Sequence, residues 1–201
     1  VGRLMAESML ENIPDGGDIF LIQGPLTDNN VSLIREGIDE TLAGSNLNVV
    51  YEANCPGWIA ENAYTYTKEG LKLDRNVKGI ICGNDDLASQ AFRALSEERL
   101  AGKVCVTGQD GDLAACQRIV EETQEMTAFK SVEQEASLAA KCAVLLGLGE
   151  EIEEVQDTAY DGTYNVPYLE LQPIAVTKEN MDEVIIKGGF HAKEDVYLNV
   201  N

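Results

Sequence analysis

The residues of this 201-residue chain best suited to binding chemistry sit in two stretches that echo each other. Val77–Gln90 reads VKGIICGNDDLASQ and Val104–Gln117 reads VCVTGQDGDLAACQ. Each is an apolar run that stops at glycine, spends a few short polar residues and passes into a helical pattern. Gly83, Asn84, Asp85, Leu87 and Ala88 align with Gly108, Gln109, Asp110, Leu113 and Ala114. Carboxylates accept hydrogen bonds, and side-chain amides both donate and accept. Asn84, Asp85, Asp86, Gln109, Asp110 and Asp112 can therefore hold a ligand rich in hydroxyl groups. Three further groups extend that chemistry: the polar run Thr27-Asp28-Asn29-Asn30, the single tryptophan Trp58 in a Pro-Gly loop, and the ammonium of Lys130.

Those side chains need a scaffold that brings distant loops together. The apolar runs are short and rich in β-branched residues, as strands buried on both faces require. DIFLIQ (18–23), residues 48–51, the two echoing runs and residues 125–129 give five strands. Each of the first four is followed by a helical pattern, and so is the fifth. The helix after the first strand carries Val31, Ile34, Ile38 and Leu42 on one stripe. The next, 60–71, turns Ala60, Ala63, Tyr64 and Leu71 inward. Ser131-Val132-Glu133-Gln134 is a capping box that opens a helix with an alanine face: Ala136, Ala139, Ala140 and Ala143. Residues 2–13 form a leading helix, the acidic run 150–154 reads as a solvated linker, and 167–176 is extended. Residues 181–186 read as a short helix.

Alternation of strand and helix predicts an α/β fold: a Rossmann-like parallel sheet with helices on both faces. Ligands of such sheets bind at the carboxyl ends of the strands. The patches 27–30, 55–58, 84–86, 109–112 and 130 all follow strands, so they share one edge. Asn30, Asp86 and Asp112 also suit helix N-caps, whereas Asn84 and Asp110 lie closer to the strand and fit a cap less well. Trp58 suits either a lid over local core or a stacking platform.

Composition excludes several functions. Fifteen basic residues against 35 acidic ones give a formal charge of −20, which disfavours nucleic acid and anionic membrane surfaces as partners. No apolar stretch is long enough to span a bilayer. The chain opens on Val1 with no initiator methionine, which implies a processed or truncated start. Five cysteines without CxxC spacing predict neither a disulfide framework nor a metal site. The lone histidine, His191, has no neighbouring ligand spacing. GxGxxG and GxxxxGK[ST] are both absent, so no phosphate-cradling loop is expected. Neutral hydrogen-bonding groups around an aromatic plate instead suit a polyhydroxylated ligand.

The runs GPLTDNN, PGWIAENA, ICGNDDLASQAFRAL, GKVCVTGQDGDLAACQRIV, TQEMTAFK and VIIKGGFH carry a resemblance that covers nearly the whole chain. It resembles the periplasmic sugar-binding proteins of ABC importers, type I fold, with the greatest likeness to the xylose binders among them. The resemblance implies two lobes clamping a sugar. Residues 1–130 would be the second lobe, and 131–165 a crossing helix and linker that pack on a first lobe absent from this chain. Residues 166–201 would be a hinge strand and closing segment. The alanine face of 131–150 would then lack its cover. Sugar contacts implied position by position are Asn29 or Asn30, Trp58 by stacking, Asn84, Asp110 and Lys130, which should converge on one cleft. Ser131 stands where xylose binders have proline, and Cys55-Pro56 replaces the usual residues before Gly-Trp.

The implied ligand is a pentose such as D-xylose, the partner a membrane permease, and the location extracytoplasmic, as a periplasmic protein or cell-surface lipoprotein. No cofactor, metal or catalytic residue is implied. Two readings share the fold: a sensor presenting its closed form to a histidine kinase or chemoreceptor, and the effector domain of a LacI-like repressor. An enzyme holding Mg²⁺ at Asp85-Asp86 and Asp110-Gly111-Asp112 is the reading from a different class, and it leaves Asn84 and Trp58 without a role.

Overall fold

Gly2–Asn12 forms α1, which buries Met5 and Met9, and the Pro14–Gly17 turn leads into the first strand, β1 (Gly17–Gln23). The computed structural model describes residues 1–155 and 157–200. After β1 come α2 (Asn29–Leu42), β2 (Leu47–Asn54), α3 (Glu61–Leu73), β3 (Gly79–Cys82), α4 (Asp85–Glu97), β4 (Cys105–Gln109), α5 (Leu113–Val120) and β5 (Met126–Phe129). α6 (Val132–Leu148), the strands β6 (Asp157–Tyr160), β7 (Asn165–Tyr168) and β8 (Ile174–Val176), and the short α7 (Lys193–Val196) follow. The backbone divides into two units, Val1–Phe129 with the chain from Ile174 onward, and Lys130–Pro173.

The first unit is built on one sheet in the order β2-β1-β3-β4-β5-β8. β1 to β5 pair in parallel, as the strand–helix alternation predicts, and β8 adds an antiparallel edge through Thr127↔Val176 and Phe129↔Ile174. Successive strand side chains point to opposite faces. Phe20, Ile22 and Ile80 accordingly pack with Leu87, Ala91 and Leu95 on the α3/α4 face. Ile19, Leu21 and Ile81 meet Met5, Met9, Ile34 and Ile38 on the α1/α2 face. The chain leaves β1 for β2 on one side and returns to β3 on the other. The carboxyl ends of β1 and β3 thus flank the point where strand order reverses, which is where such sheets receive ligands.

Three local expectations are corrected. α2 buries the predicted stripe Val31, Ile34, Ile38 and Leu42, but its cap is Asp28, whose Oδ1 accepts from the Asn30 N–H at 2.9 Å. Asn30 is thereby inside the helix. α3 buries Ala63, Thr67, Gly70 and Leu71. Tyr64 instead lies under the Arg93 guanidinium and donates to Glu97, an aromatic used at the surface rather than in the core. β2 is an edge strand eight residues long with only Leu47 buried, so its apolar centre underreports its length.

In the second unit Ser131 caps α6 by accepting from the Gln134 N–H, and Gly149 ends it in the left-handed conformation, φ 75°. No residue of α6 is buried. The acidic run after it is tied back through an ion pair between Lys141 and Glu154. β6 and β7 form an antiparallel hairpin, with Asp161 accepting from the Thr163 and Tyr164 N–H groups in its turn. Among the described residues no helix is long and apolar enough to cross a membrane.

Candidate ligand-binding site

Trp58 is held over the carboxyl ends of β1 and β3. Pro56–Trp58 is a single tight turn in which Gly57 and Trp58 both take positive φ, 60° and 58°. That conformation is uncommon for a residue with a Cβ and marks a strained position. The indole N–H donates to Asp28 Oδ2 at 3.0 Å, while the other oxygen of Asp28 caps α2. Those two donors, the Asn30 amide and then the indole, hold the Asp28 carboxyl below its ordinary value. Both strand ends beneath the ring are glycine for a steric reason. A Cβ on Gly24 would lie 2.2 Å from the indole, and one on Gly83 3.1 Å from it. Trp58 packs against the α3/α4 core on one side and stays half-exposed. It is a lid over core and an accessible plate at once.

The two echoing loops are cross-braced. Asn84 is the cap of α4, its Oδ1 accepting from the Leu87 N–H at 2.9 Å, contrary to the expectation that it fits a cap poorly. A cap uses one oxygen, which leaves the Nδ2 donors for a ligand. Asp85 is wholly buried. It accepts from the Gly111 N–H at 3.0 Å, the Asp112 N–H at 3.1 Å, the Thr127 hydroxyl at 2.7 Å and Gln124 Nε2 at 3.0 Å. Gln124 in turn accepts from Arg118 Nε at 3.0 Å, so an amide links the buried carboxylate to a buried guanidinium. Burial pushes the Asp85 carboxyl up to about 7 against the pull of the Thr127, Gln124 and Asp112 donors. Gln109 Nε2 donates to the Gly83 carbonyl at 2.6 Å, joining the ends of β3 and β4.

Asp110 leaves β4 at φ 102°, its N–H still donating to Ala128 O, and its side chain is exposed. Asp112 takes the cap position of α5 without a side-chain capping bond. Its carboxyl is raised by burial and by the like charges of Asp86 and Asp110, with His191 and Arg118 opposing. Asp86 lies in the first turn of α4 and is not the cap. The Mg²⁺ arrangement loses its centre, because both oxygens of Asp85 are committed to internal donors. Among the described residues no group of three or more His, Cys, Asp and Glu could hold a metal ion.

A continuous chain of contacts thus runs from Asp28 through Trp58, Gly24 and Gly83 to Asn84, Asp85 and Gly111. Asn29 and Asn30 are exposed beside Asp28. Lys130 is exposed at the start of the second unit, directly after β5. The site is an open platform; a concavity of about 500 Å³ lies beside it, among Gln23, Leu26, Arg35 and Asn54, and another of about 430 Å³ lies at the opposite end of the sheet, among Glu7, Glu11, Glu122 and Glu125. Sequence reasoning gave no supporting role to Asp28, Thr127, Gln124 or His191. Asp28 stood in a polar run where any of three residues could cap, and the other three lie far from the loops they brace.

Residues 1–151 match the family described as periplasmic binding protein domain. Over 98% of this chain the sequence is 41% identical to the D-xylose-binding periplasmic protein of Haemophilus influenzae and 36% identical to that of Escherichia coli. The chain spans 60% of the length of each of these relatives. An ABC transporter solute binding protein from Clostridium phytofermentans, solved with bound β-D-glucose, superposes with a TM-score of 0.82 at 23% identity. That superposition covers 97% of this chain and 66% of the other, a likeness of fold.

Proposed function

The chain belongs to the periplasmic binding protein domain family, and from that premise we propose that it is the sugar-binding part of an importer's substrate-binding protein, with a pentose such as D-xylose as ligand. The observation that carries this reading is the Trp58 indole, strained at φ 58°, tied to Asp28 and laid over Gly24 and Gly83 where the strand order reverses. A fixed aromatic plate beside amides and carboxylates matches a sugar, whose C–H face stacks while its hydroxyls donate and accept. Trp58 stacks on the ring, Asn84 donates through Nδ2, and Asp110 accepts from hydroxyls. Asn29 or Asn30 adds an amide. Lys130 is included on the strength of the sequence resemblance alone.

The family's work is binding for transport, and the residues named here hold hydroxyls without breaking bonds. We place the protein outside the cytoplasmic membrane, delivering sugar to a permease through closure of two lobes. Residues 1–130 are the second lobe in this reading, 131–165 cross to the first, and 166–201 return as hinge and closing segment.

The test is calorimetric titration of the full-length protein with D-xylose, D-ribose and D-glucose. Xylose should bind most tightly, and Asp110→Ala should abolish binding, since each hydrogen bond to a charged group contributes about 1.5–3 kcal/mol. Trp58→Ala should weaken it by about 1 kcal/mol, through lost stacking. Undiminished xylose affinity in both variants would remove the site from this edge of the sheet.

A further inference from the structure

We propose that His191 and Asp85 act together as a clamp on the backbone of Gly111, one on its carbonyl and one on its N–H, and so aim Asp110 at the sugar; both are positioning residues, and the proposal rests on the reading of Asp110 as a sugar contact. Gly111 is gripped on every side. Its N–H donates to Asp85 Oδ2 and to Thr127 Oγ1, each at 3.0 Å. Its carbonyl accepts from His191 Nε2 at 2.7 Å and, at the longer distance of 3.5 Å, from the Cys116 thiol. Its Cα faces aromatic rings: a Cβ there would lie 2.8 Å from Phe129 and 3.5 Å from Phe190. With φ at 73° as well, only glycine fits.

The consequence falls on the residue before it. Asp110 holds φ 102°, a conformation that costs a non-glycine residue energy and persists only where the surroundings enforce it. The Asp110 N–H is fixed by Ala128 O on one side, and on the other the Asp110–Gly111 peptide is fixed through the Gly111 N–H. Asp85, buried at the start of α4, reaches this peptide through the Gly111 N–H and the next one through the Asp112 N–H. His191 reaches the next peptide, through the Gly111 carbonyl, from the C-terminal segment, where Phe190 packs on Phe129 with ring centroids 4.8 Å apart and on His191 at 4.5 Å. The carboxylate grips the amide and the imidazole grips the carbonyl, so neither can replace the other. A segment eighty residues away in sequence thereby sets the direction of a side chain in the binding loop.

The lone histidine gains a role here that its isolation in the sequence did not suggest. Because it donates to a backbone carbonyl, another side chain with an N–H at similar reach should serve. That separates a clamp from general stability. Full-length protein carrying His191→Ala, His191→Gln, Asp85→Asn or Asp110→Ala is titrated with D-xylose by calorimetry, and each variant is melted without sugar. His191→Ala should weaken binding about three- to thirtyfold, the range for residues that act without touching ligand, with a nearly unchanged melting temperature. His191→Gln should recover most of that loss. Asp85→Asn should weaken binding over the same range, and Asp110→Ala should abolish it.

Equal losses in His191→Ala and His191→Gln would overturn the clamp, because the donor would not be the cause. So would wild-type affinity in His191→Ala when Asp110→Ala binds nothing, a result that leaves the sugar site standing. Wild-type affinity in Asp110→Ala would remove both. Should Asp85→Asn fail to fold, the two variants at the half-buried His191 decide the matter.

Discussion

Single residues at this site carry two duties, and the conflict between them is measurable. Four residues other than glycine hold positive φ among those described, Trp58, Arg99, Asp110 and Glu122, and two of the four are proposed sugar contacts. Strain of that kind runs from observation to function, and no sequence pattern announces it. Asp85 shows the same compromise in charge. Four donors and no acceptor converge on it, which suits an ionised carboxylate, yet burial raises its pKa to about 7. The unfolded chain releases this proton near 3.8 and the folded chain near 7. Between those values the folded state holds more protons, so stability due to Asp85 is fully present below about 4 and is lost as pH rises through 7. Urea unfolding of wild type and Asp85→Asn across pH 4–8 should show it. The wild type's stability relative to the variant should fall with rising pH, by an amount on the order of a few kcal/mol. A difference independent of pH would mean that Asp85 does not titrate in this window.

At the scale of elements, the strands were legible because apolar β-branched runs bounded by glycine have few other uses. DIFLIQ and KGIICG became β1 and β3 with little shift, and the α2 stripe is buried as spaced. Elements governed by neighbours were less legible. β2 extends well past its apolar centre because an edge strand needs burial on neither end, and the antiparallel pairing of β8 depends on where the chain returns from. Caps were the weakest reading, since Asp, Asn and Ser at adjacent positions all satisfy the same amides. Asn84 makes that ambiguity useful. Asn84→Asp keeps an oxygen for the Leu87 N–H but replaces the Nδ2 donors, whereas Asn84→Ala loses both. The aspartate variant should keep wild-type stability and bind sugar about tenfold more weakly, close to one hydrogen bond. The alanine variant should also lose about 1 kcal/mol of stability. Denaturation and titration of the two variants separate cap from contact, and equal stability in both would deny the capping role.

The whole molecule explains what no element does alone. The acidic balance, 35 carboxylates against 15 basic residues, belongs to a solvated surface and points to no anionic partner. α6 is the element that fits this description least. It is 17 residues long, bears Val132, Val144, Leu146 and Leu148, and buries none of its side chains. Leu146 is 65% exposed and Leu148 68%. Most helical stability in proteins comes from packing an apolar face, and isolated helices of about 12–15 residues are marginal in water. In the proposed two-lobe protein, the first lobe supplies the missing cover. Hydrogen exchange should then find the α6 amides slow in the full-length protein and fast in the 201-residue chain alone, while β1 and β3 stay protected in both. Pentose binding should follow the same division, because a sugar held by one lobe loses the other lobe's hydrogen bonds and remains open to water. Each missing bond to a charged group weakens affinity about ten- to a hundredfold, so the chain alone should bind D-xylose weakly or not at all. Slow exchange throughout α6 in the chain alone, together with tight xylose binding by it, would mean that these residues are complete without a first lobe.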